Sequence, residues 1–250
     1  MKKPKFYDNY HLNNKNKKYF SVISEYNFTY YLNIQYIHRV LTSIKKKKIK
    51  IIDLGCGVGT IDFFLAKKGH DIVGIDVSQD AINICNAFKD FNKQVNTKFL
   101  RGDLGKIKLE KGEFDLAICS EVIEHIENDE KLLQTINATL KKGGYLFLTT
   151  PSENAPLHRL GLLKEFDRKV GHLRRYNQHQ LKEKLQKNGF EIVEMGKNES
   201  ILRNSLYTFP YVGKVIKIIR GPLVIWFHIV DNFLVKVFGE SNLIFICRKK

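Results

Sequence analysis

The stretch IKIIDLGCGVGT at residues 49–60 runs an apolar, β-branched segment straight into three glycines at alternate positions. Lys50 to Leu54 have the composition of a strand buried on both faces, the usual condition of a parallel strand. Gly55, Gly57 and Gly59 lack a Cβ, so the backbone there can take positive φ and close on a ligand. A helix opening at Thr60 points its unpaired N–H groups at the same place, which makes the turn a nucleotide cradle. Strand, glycine turn and helix in this order belong to the α/β class.

The next segment, DIVGID at 71–76, reads as a second strand ending in Asp76, 21 positions after Gly55. A carboxylate about 20 residues beyond the first turn glycine binds ribose hydroxyls. A nicotinamide dinucleotide would use the same offset, but its turn prefers G-x-G-x-x-G, and position 60 here is Thr60. The choice between adenosine cofactors therefore rests on the details of the turn.

Downstream the pattern keeps alternating. A helix is expected from Thr60 to Lys68, a strand from Asp71 to Asp76, a helix from Gln79 to Phe91 with Ser78 as N-cap, and a strand near Lys98 to Arg101. A strand from Phe114 to Cys119, a helix from Asp129 to Leu140 and a strand from Tyr145 to Thr150 follow. This alternation predicts a doubly wound, Rossmann-like sheet, mostly parallel, with helices on both faces and ligands at the carboxyl ends of its strands. After a helix from Gln178 to Asn188, a strand restarts at Gly189–Glu194, and Leu243–Cys247 is expected as an antiparallel strand at the far edge. The expected organisation is a helical cap at 1–48, in which Tyr30, Ile34, Ile37 and Leu41 share a face, a core at 49–198, an apolar helical insertion at 199–240 and the last edge strand at 241–250.

Four segments in order, DLGCGVG at 53–59, Gly102-Asp103, FDLAICSEVIEH at 114–125 and LKKGGYL at 140–146, resemble the motifs of class I S-adenosylmethionine-dependent methyltransferases. The resemblance implies S-adenosylmethionine as cofactor. It places Asp53, Gly55, Gly57 and Gly59 around the methionine moiety, Asp76 on the ribose, and Asp103 and Leu104 at the adenine, with Cys56, Val77 and Ser120 completing the set. Chemically, the Asp103 carboxylate can accept a hydrogen bond from the adenine amine, or it can simply turn the chain beside Gly102.

Methyl transfer from a sulfonium is a direct displacement, so holding nucleophile, methyl carbon and sulfur in line is the main task. A phenol with a pKa near ~10 still gains from a base or a metal that favours its phenolate. If residues 121–125 form a helical turn, Glu121, Glu124 and His125 share one face and can bind a divalent cation such as Mg²⁺, or His125 alone can act as base. The Glu-x-x-Glu-His pattern resembles the ubiquinone-biosynthesis O-methyltransferases, which implies O-methylation. The segment 151–176 follows a strand end, where α/β enzymes place substrate loops. Its GHLRRY string at 171–176 resembles methyltransferases of cell-envelope glycan and lipid pathways. There His172 is a candidate second base and Arg174 or Arg175 a candidate anion clamp, unless the arginines pair with acids such as Glu165 and Asp167.

A formal net charge of +16 invites a polyanion or an anionic membrane as partner. Only nine of the 42 basic residues are arginine, the residue nucleic-acid readers rely on for bidentate contacts, so a nucleic-acid partner is not expected. Four widely spaced cysteines and an N-terminus without an apolar signal core predict a cytoplasmic protein. Residues 206–238 are rich in Leu, Ile, Val and aromatics but interrupted by His228, Asp231 and Lys236, too polar to span a bilayer. They are expected to form a lid on the protein's own core, a peripheral membrane contact at the inner face, or a homodimer surface. The expected acceptor is a hydroxyl on a small or lipid-linked molecule. The alternatives are nitrogen or carbon of a sugar or glycan precursor and, from another class, a basic RNA-binding module on the same fold.

Overall fold

β-Branched and leucine-rich segments fix the strands of the sheet, and their order follows from the crossovers between them. The structure, a computed structural model, describes residues 22–93, 96–209, 219 and 221–250. Helix α1 (Tyr31–Ile44) leads into β1 (Lys50–Leu54), α2 (Thr60–Lys67), β2 (Asp71–Asp76), α3 (Gln79–Phe91), β3 (Thr97–Arg101) and β4 (Phe114–Ser120). Then follow α4 (Asp129–Thr139), β5 (Leu140–Pro151), α5 (Pro156–Arg159), α6 (Lys164–Val170), α7 (Gln178–Lys187), β6 (Phe190–Asn198), α8 (Ile201–Thr208), α9 (Pro222–Phe238) and β7 (Asn242–Lys249).

The strands form one sheet in the order β3-β2-β1-β4-β5-β7-β6. β1 pairs in parallel with β2 and β4, β2 with β3, and β4 with β5, while β7 runs antiparallel to β5 and β6. The mostly parallel, doubly wound sheet and its antiparallel C-terminal strand are as predicted, but β7 lies one strand in from the edge and β6 forms the edge. β7 is buried along Asn242–Cys247, whereas β6 alternates buried and exposed residues, so the more apolar strand takes the interior place.

Neighbouring residues of a strand point to opposite faces. Ile52, Leu54, Ala117 and Cys119 therefore pack on one side against α4 and α7 through Leu132, Leu133, Ile136, Leu181 and Leu185. Ile51, Leu116 and Ile118 pack on the other side with Phe64 and Leu65 of α2 and Ile34, Ile37 and Val40 of α1. The helix expected in an N-terminal cap thus covers a face of the sheet as part of the main core. The first 21 residues of that cap, and Tyr211, Lys214, Val215, Ile216, Lys217, Ile218 and Arg220 of the insertion, lie outside the described residues. Ser78 caps α3, its hydroxyl accepting from Ala81 N at 3.2 Å, so the chain turns sharply just after Asp76. The 151–176 segment read as a loop contains α5 and α6.

Candidate active site

All three glycines of the β1–α2 turn have positive φ: +86° at Gly55, +53° at Gly57 and +72° at Gly59. A Cβ on Gly55 would collide with Val122 Cγ2, so β4's exit loop is pressed against the turn. The turn is clamped to β2. Gly55 N donates to Ile75 O at 2.7 Å, Gly57 N to Asp76 Oδ2 at 2.9 Å, and Ser78 N to Asp76 Oδ1 at 2.8 Å. Each Asp76 oxygen keeps lone-pair capacity for a ribose hydroxyl, and Asp76 lines a cavity of about 880 Å³ together with Gly55, Gly57, Val77, Leu104 and Ser120. Beneath the turn, burial and the charge of Asp76 push the Asp53 carboxyl up to about 7. Burial and the charge of Asp53 push the carboxyl of the neighbouring Asp62 well above the usual carboxylate range.

Asp103 has the chain-turning contact that was the alternative to an adenine role. Its Oδ1 accepts from Gly105 N at 2.9 Å, closing a local turn, and it is not on the cavity wall, whereas Leu104 is. Gly59 also stays off the wall and instead starts α2.

At the end of β4 the chain makes a single 3-10 turn, Ile123–His125, in place of the helical turn expected over 121–125. Glu121 has φ +57°, and this reversal aims it away from its neighbours. Its Oε1 accepts from Thr149 Oγ1 and from Asn242 Nδ2, both at 2.7 Å. His172 takes the third place. Among the described residues, ligand atoms of Glu124, His125 and His172 lie within 4.8 Å of one another.

The convergence has a local cause: residues 171–173 are stitched to 124–125. Leu173 N donates to Glu124 O at 3.0 Å, and His125 Nδ1 lies 3.0 Å from Gly171 O. A carbonyl only accepts, so Nδ1 of His125 carries the hydrogen and Nε2 the lone pair. His172 Nδ1 lies 2.8 Å from Asp167 Oδ1, which fixes the same tautomer. The Nε2 atoms then stand 3.9 Å (His125) and 4.0 Å (His172) from Glu124 Oε1. Glu124 is fully buried, its Oε2 accepts from Thr150 Oγ1 at 3.0 Å, and Oε1 has no hydrogen-bond partner among the described residues. Burial, reinforced by the charge of Glu121, holds the Glu124 carboxyl well above the usual range. Two imidazole nitrogens and one carboxylate depart from the expected Mg²⁺ site, since Mg²⁺ prefers a shell of oxygens.

The two arginines of 171–176 are committed elsewhere. Arg175 grips Asp167 with Nε at 2.9 Å and Nη2 at 2.6 Å, and Arg174 pairs with Asp129 at 3.0 Å. Both therefore take the alternative reading of arginines paired with acids, and Arg175 also lines the cavity. Burial alone would raise Asp167, but its hydrogen bonds with His172 and Arg175 hold it far below the usual carboxylate range.

Residues 25–195 match the family model described as a methyltransferase domain. The chain belongs to the class I S-adenosylmethionine-dependent methyltransferases. A ubiquinone biosynthesis O-methyltransferase of Coxiella burnetii is 28% identical over 123 residues, 49% of this chain and 51% of that protein. The chain thus spans about half the length of the curated relatives it matches. Phosphoethanolamine N-methyltransferase 2 of Haemonchus contortus, solved in complex with S-adenosyl-L-methionine, superposes with a TM-score of 0.61 at 19% identity over 86% of this chain and 52% of that one. The [4+2]-cyclase SpnF gives the same score and identity over 86% of this chain and 80% of its own. At such identities the likeness shows the fold alone, and the chemistry of this methyltransferase has to be read from its own residues.

Besides His125 and His172, the methyltransferase's cavity is walled by residues that carried no signal in the sequence. Glu199, Arg203, Tyr207 and Asn242 come from the end of β6, from α8 and from the start of β7. The apolar run at 199–240 was legible only as an amphipathic insertion. Thr29, Tyr30, Leu32 and Asn33 of the N-terminal region close another side, and Asn33 Nδ2 donates to Ser120 Oγ at 3.2 Å.

Proposed function

We propose that this methyltransferase moves the methyl group of S-adenosylmethionine to a hydroxyl of a small or lipid-linked acceptor, with His125 as general base. The observation that carries the proposal is the His125 tautomer: Nδ1 is fixed against Gly171 O, so the basic Nε2 is turned toward Glu124 and His172, and both histidines line the cavity. Cofactor and acceptor share that cavity, which holds the reacting atoms in line. As the hydroxyl oxygen attacks the methyl carbon and the carbon–sulfur bond breaks, Nε2 takes the hydroxyl proton. Glu124 and His172, the latter oriented by Asp167, stand beside His125 and fix the surroundings of its Nε2.

A second reading is favoured by the buried, unpartnered Oε1 of Glu124. That oxygen and the two Nε2 atoms form a donor set suited to Zn²⁺, Mn²⁺ or Fe²⁺. Such an ion, when bound, supplies Lewis acidity that lowers the pKa of an acceptor hydroxyl.

The lipid-linked form of the acceptor is supported by α9. Leu223, Trp226, Ile229, Phe233 and Val237 follow helical spacing and are each more than half exposed, with Trp226 at 68% and Phe233 at 65%. Among the described residues no helix is long and apolar enough to cross a membrane, so α9 would lie in the interface.

The test begins with calorimetric titration of S-adenosylhomocysteine, followed by turnover of catechol by wild type and His125→Ala. Loss of turnover with cofactor affinity intact supports the base. Full kcat/KM in the variant ends both the base and the metal readings. Salt-sensitive binding of random RNA with no cofactor binding would instead favour the RNA module.

A further inference from the structure

Buried polar atoms without partners are rare in a folded protein, because each costs about 1–3 kcal/mol. Here six of them gather on one wall of one cavity. Asn198 Nδ2, Arg203 Nη2, Asn204 Oδ1, Tyr207 OH, Thr208 Oγ1 and Ser241 Oγ all lack a hydrogen-bond partner among the described residues, and all six residues line the 880 Å³ cavity. Five of the six atoms can donate a hydrogen.

Arg203 is the centre of this wall, with a relative exposure of 1%. Its Nε donates to Asp231 Oδ2 at 2.7 Å and its Nη1 to Phe28 O at 3.2 Å. Its guanidinium carbon sits 4.4 Å from the Phe28 ring centroid and 5.0 Å from that of Phe227. Asp231 is itself held by Ser200 N at 3.1 Å and Ser200 Oγ at 2.6 Å. The guanidinium is therefore anchored through Nε, Nη1 and its two ring contacts, with the Tyr207 hydroxyl beside it. Asp231 balances the charge of Arg203, and Glu199, an acid facing the same cavity, is pushed up to about 8 by burial and the charge of Glu121, which also lines the cavity. The wall is rich in hydrogen-bond donors.

We propose that this wall is a subsite for a carboxylate on the methyl acceptor, taken by Arg203 Nη2, Asn198 Nδ2 and the Tyr207 and Thr208 hydroxyls. A single guanidinium already balanced by Asp231 suits a monoanionic carboxylate better than a dianionic phosphate. The subsite rests on the methyl-transfer reading above. It adds that the acceptor is fixed at two points, its hydroxyl near His125 and its carboxylate at α8, so the carboxylate sets which hydroxyl meets the methyl group.

The experiment titrates 3,4-dihydroxybenzoate, 3,4-dihydroxybenzamide and catechol into protein saturated with S-adenosylhomocysteine. The benzoate is expected to bind at least about 10-fold tighter than the benzamide, the difference a charge-assisted hydrogen-bond set supports. Tyr207→Phe and Thr208→Val are each expected to weaken the benzoate about 10-fold and to leave catechol and S-adenosylhomocysteine unchanged. Thr208→Val removes a buried hydroxyl that has no partner among the described residues, so its Tm should hold or rise. Arg203→Lys is the stronger perturbation, but it disturbs a buried ion pair and can unfold the chain. Equal affinity for benzoate and benzamide overturns the subsite alone. Weakened S-adenosylhomocysteine binding in Tyr207→Phe also overturns it, because the wall would then serve the cofactor's own carboxylate. Failure of wild type to bind S-adenosylhomocysteine ends the methyl-transfer reading and the subsite with it.

Discussion

The two ends of the cavity are built by different rules. The glycine-turn end, which we propose takes the cofactor, is made from two adjacent strand ends: one glycine turn and the carboxylate after the next strand, joined by the hydrogen bond from Gly57 N to Asp76. The other end, which we propose takes the acceptor, is assembled from four distant pieces, the turn after β4, the 171–173 segment, α8 and the start of β7. The first is constrained by backbone geometry, so few substitutions are tolerated. The second is constrained by side-chain partners, so it can change specificity while the fold stays the same.

The largest test of this contrast is Gly55→Ala. With φ at +86° and Val122 Cγ2 in the way, the added methyl should cost roughly 2–4 kcal/mol of stability and abolish S-adenosylhomocysteine binding by calorimetry. Retained affinity would show the cradle to be as adaptable as the acceptor wall. Next comes His125→Ala, expected to lower kcat by about 10²–10⁴-fold with the cofactor Kd unchanged. A change in Kd instead of kcat would mean that the two ends are not separable. Asp167→Asn keeps an acceptor for His172 Nδ1 but loses the charge that orients it, and a fall in kcat of about 10–100-fold is expected. Unaltered kcat would remove His172 from the chemistry.

A smaller effect concerns pH. Asp53 at about 7 and Glu199 at about 8 are raised carboxyls, one at each end. Between the unfolded value near ~4 and these folded values the native protein binds more protons than the unfolded chain, so stability should fall as pH rises through that window. A thermal melt series from pH 5 to 8 should show a declining Tm, with a flatter slope in Asp53→Asn. A rising Tm would contradict both assignments. The smallest effect on the fold is expected from Trp226→Asp on exposed α9, within about 0.5 kcal/mol, together with loss of co-sedimentation with anionic vesicles. Unchanged vesicle binding would remove α9 from any membrane contact.

How much was legible in advance follows the same division. The limits of β2 and α3, the Ser78 cap and the parallel order of the first strands all come from local pattern, because apolar periodicity, glycines and caps act over a few residues. The place of β7 between β5 and β6 was not legible, since pairing is settled by which strand has two apolar faces to bury. Glu121 was misplaced because spacing presumes regular helix, and a single positive φ turned its carboxylate toward Thr149 and Asn242. Arg174 and Arg175 resembled an anion clamp until Asp129 and Asp167 claimed them.

What the amino-acid sequence by itself determined is an α/β fold with a glycine turn and Asp76 at its strand ends, because local pattern sets each strand and turn. Only the tertiary structure decided the rest of the cavity. His172 reaches Glu124 through two backbone contacts of the 171–173 segment, and the unpaired donors around Arg203 become a wall only when β6, α8 and β7 meet. Contacts between residues far apart in sequence depend on how every intervening element packs, and no local pattern encodes that.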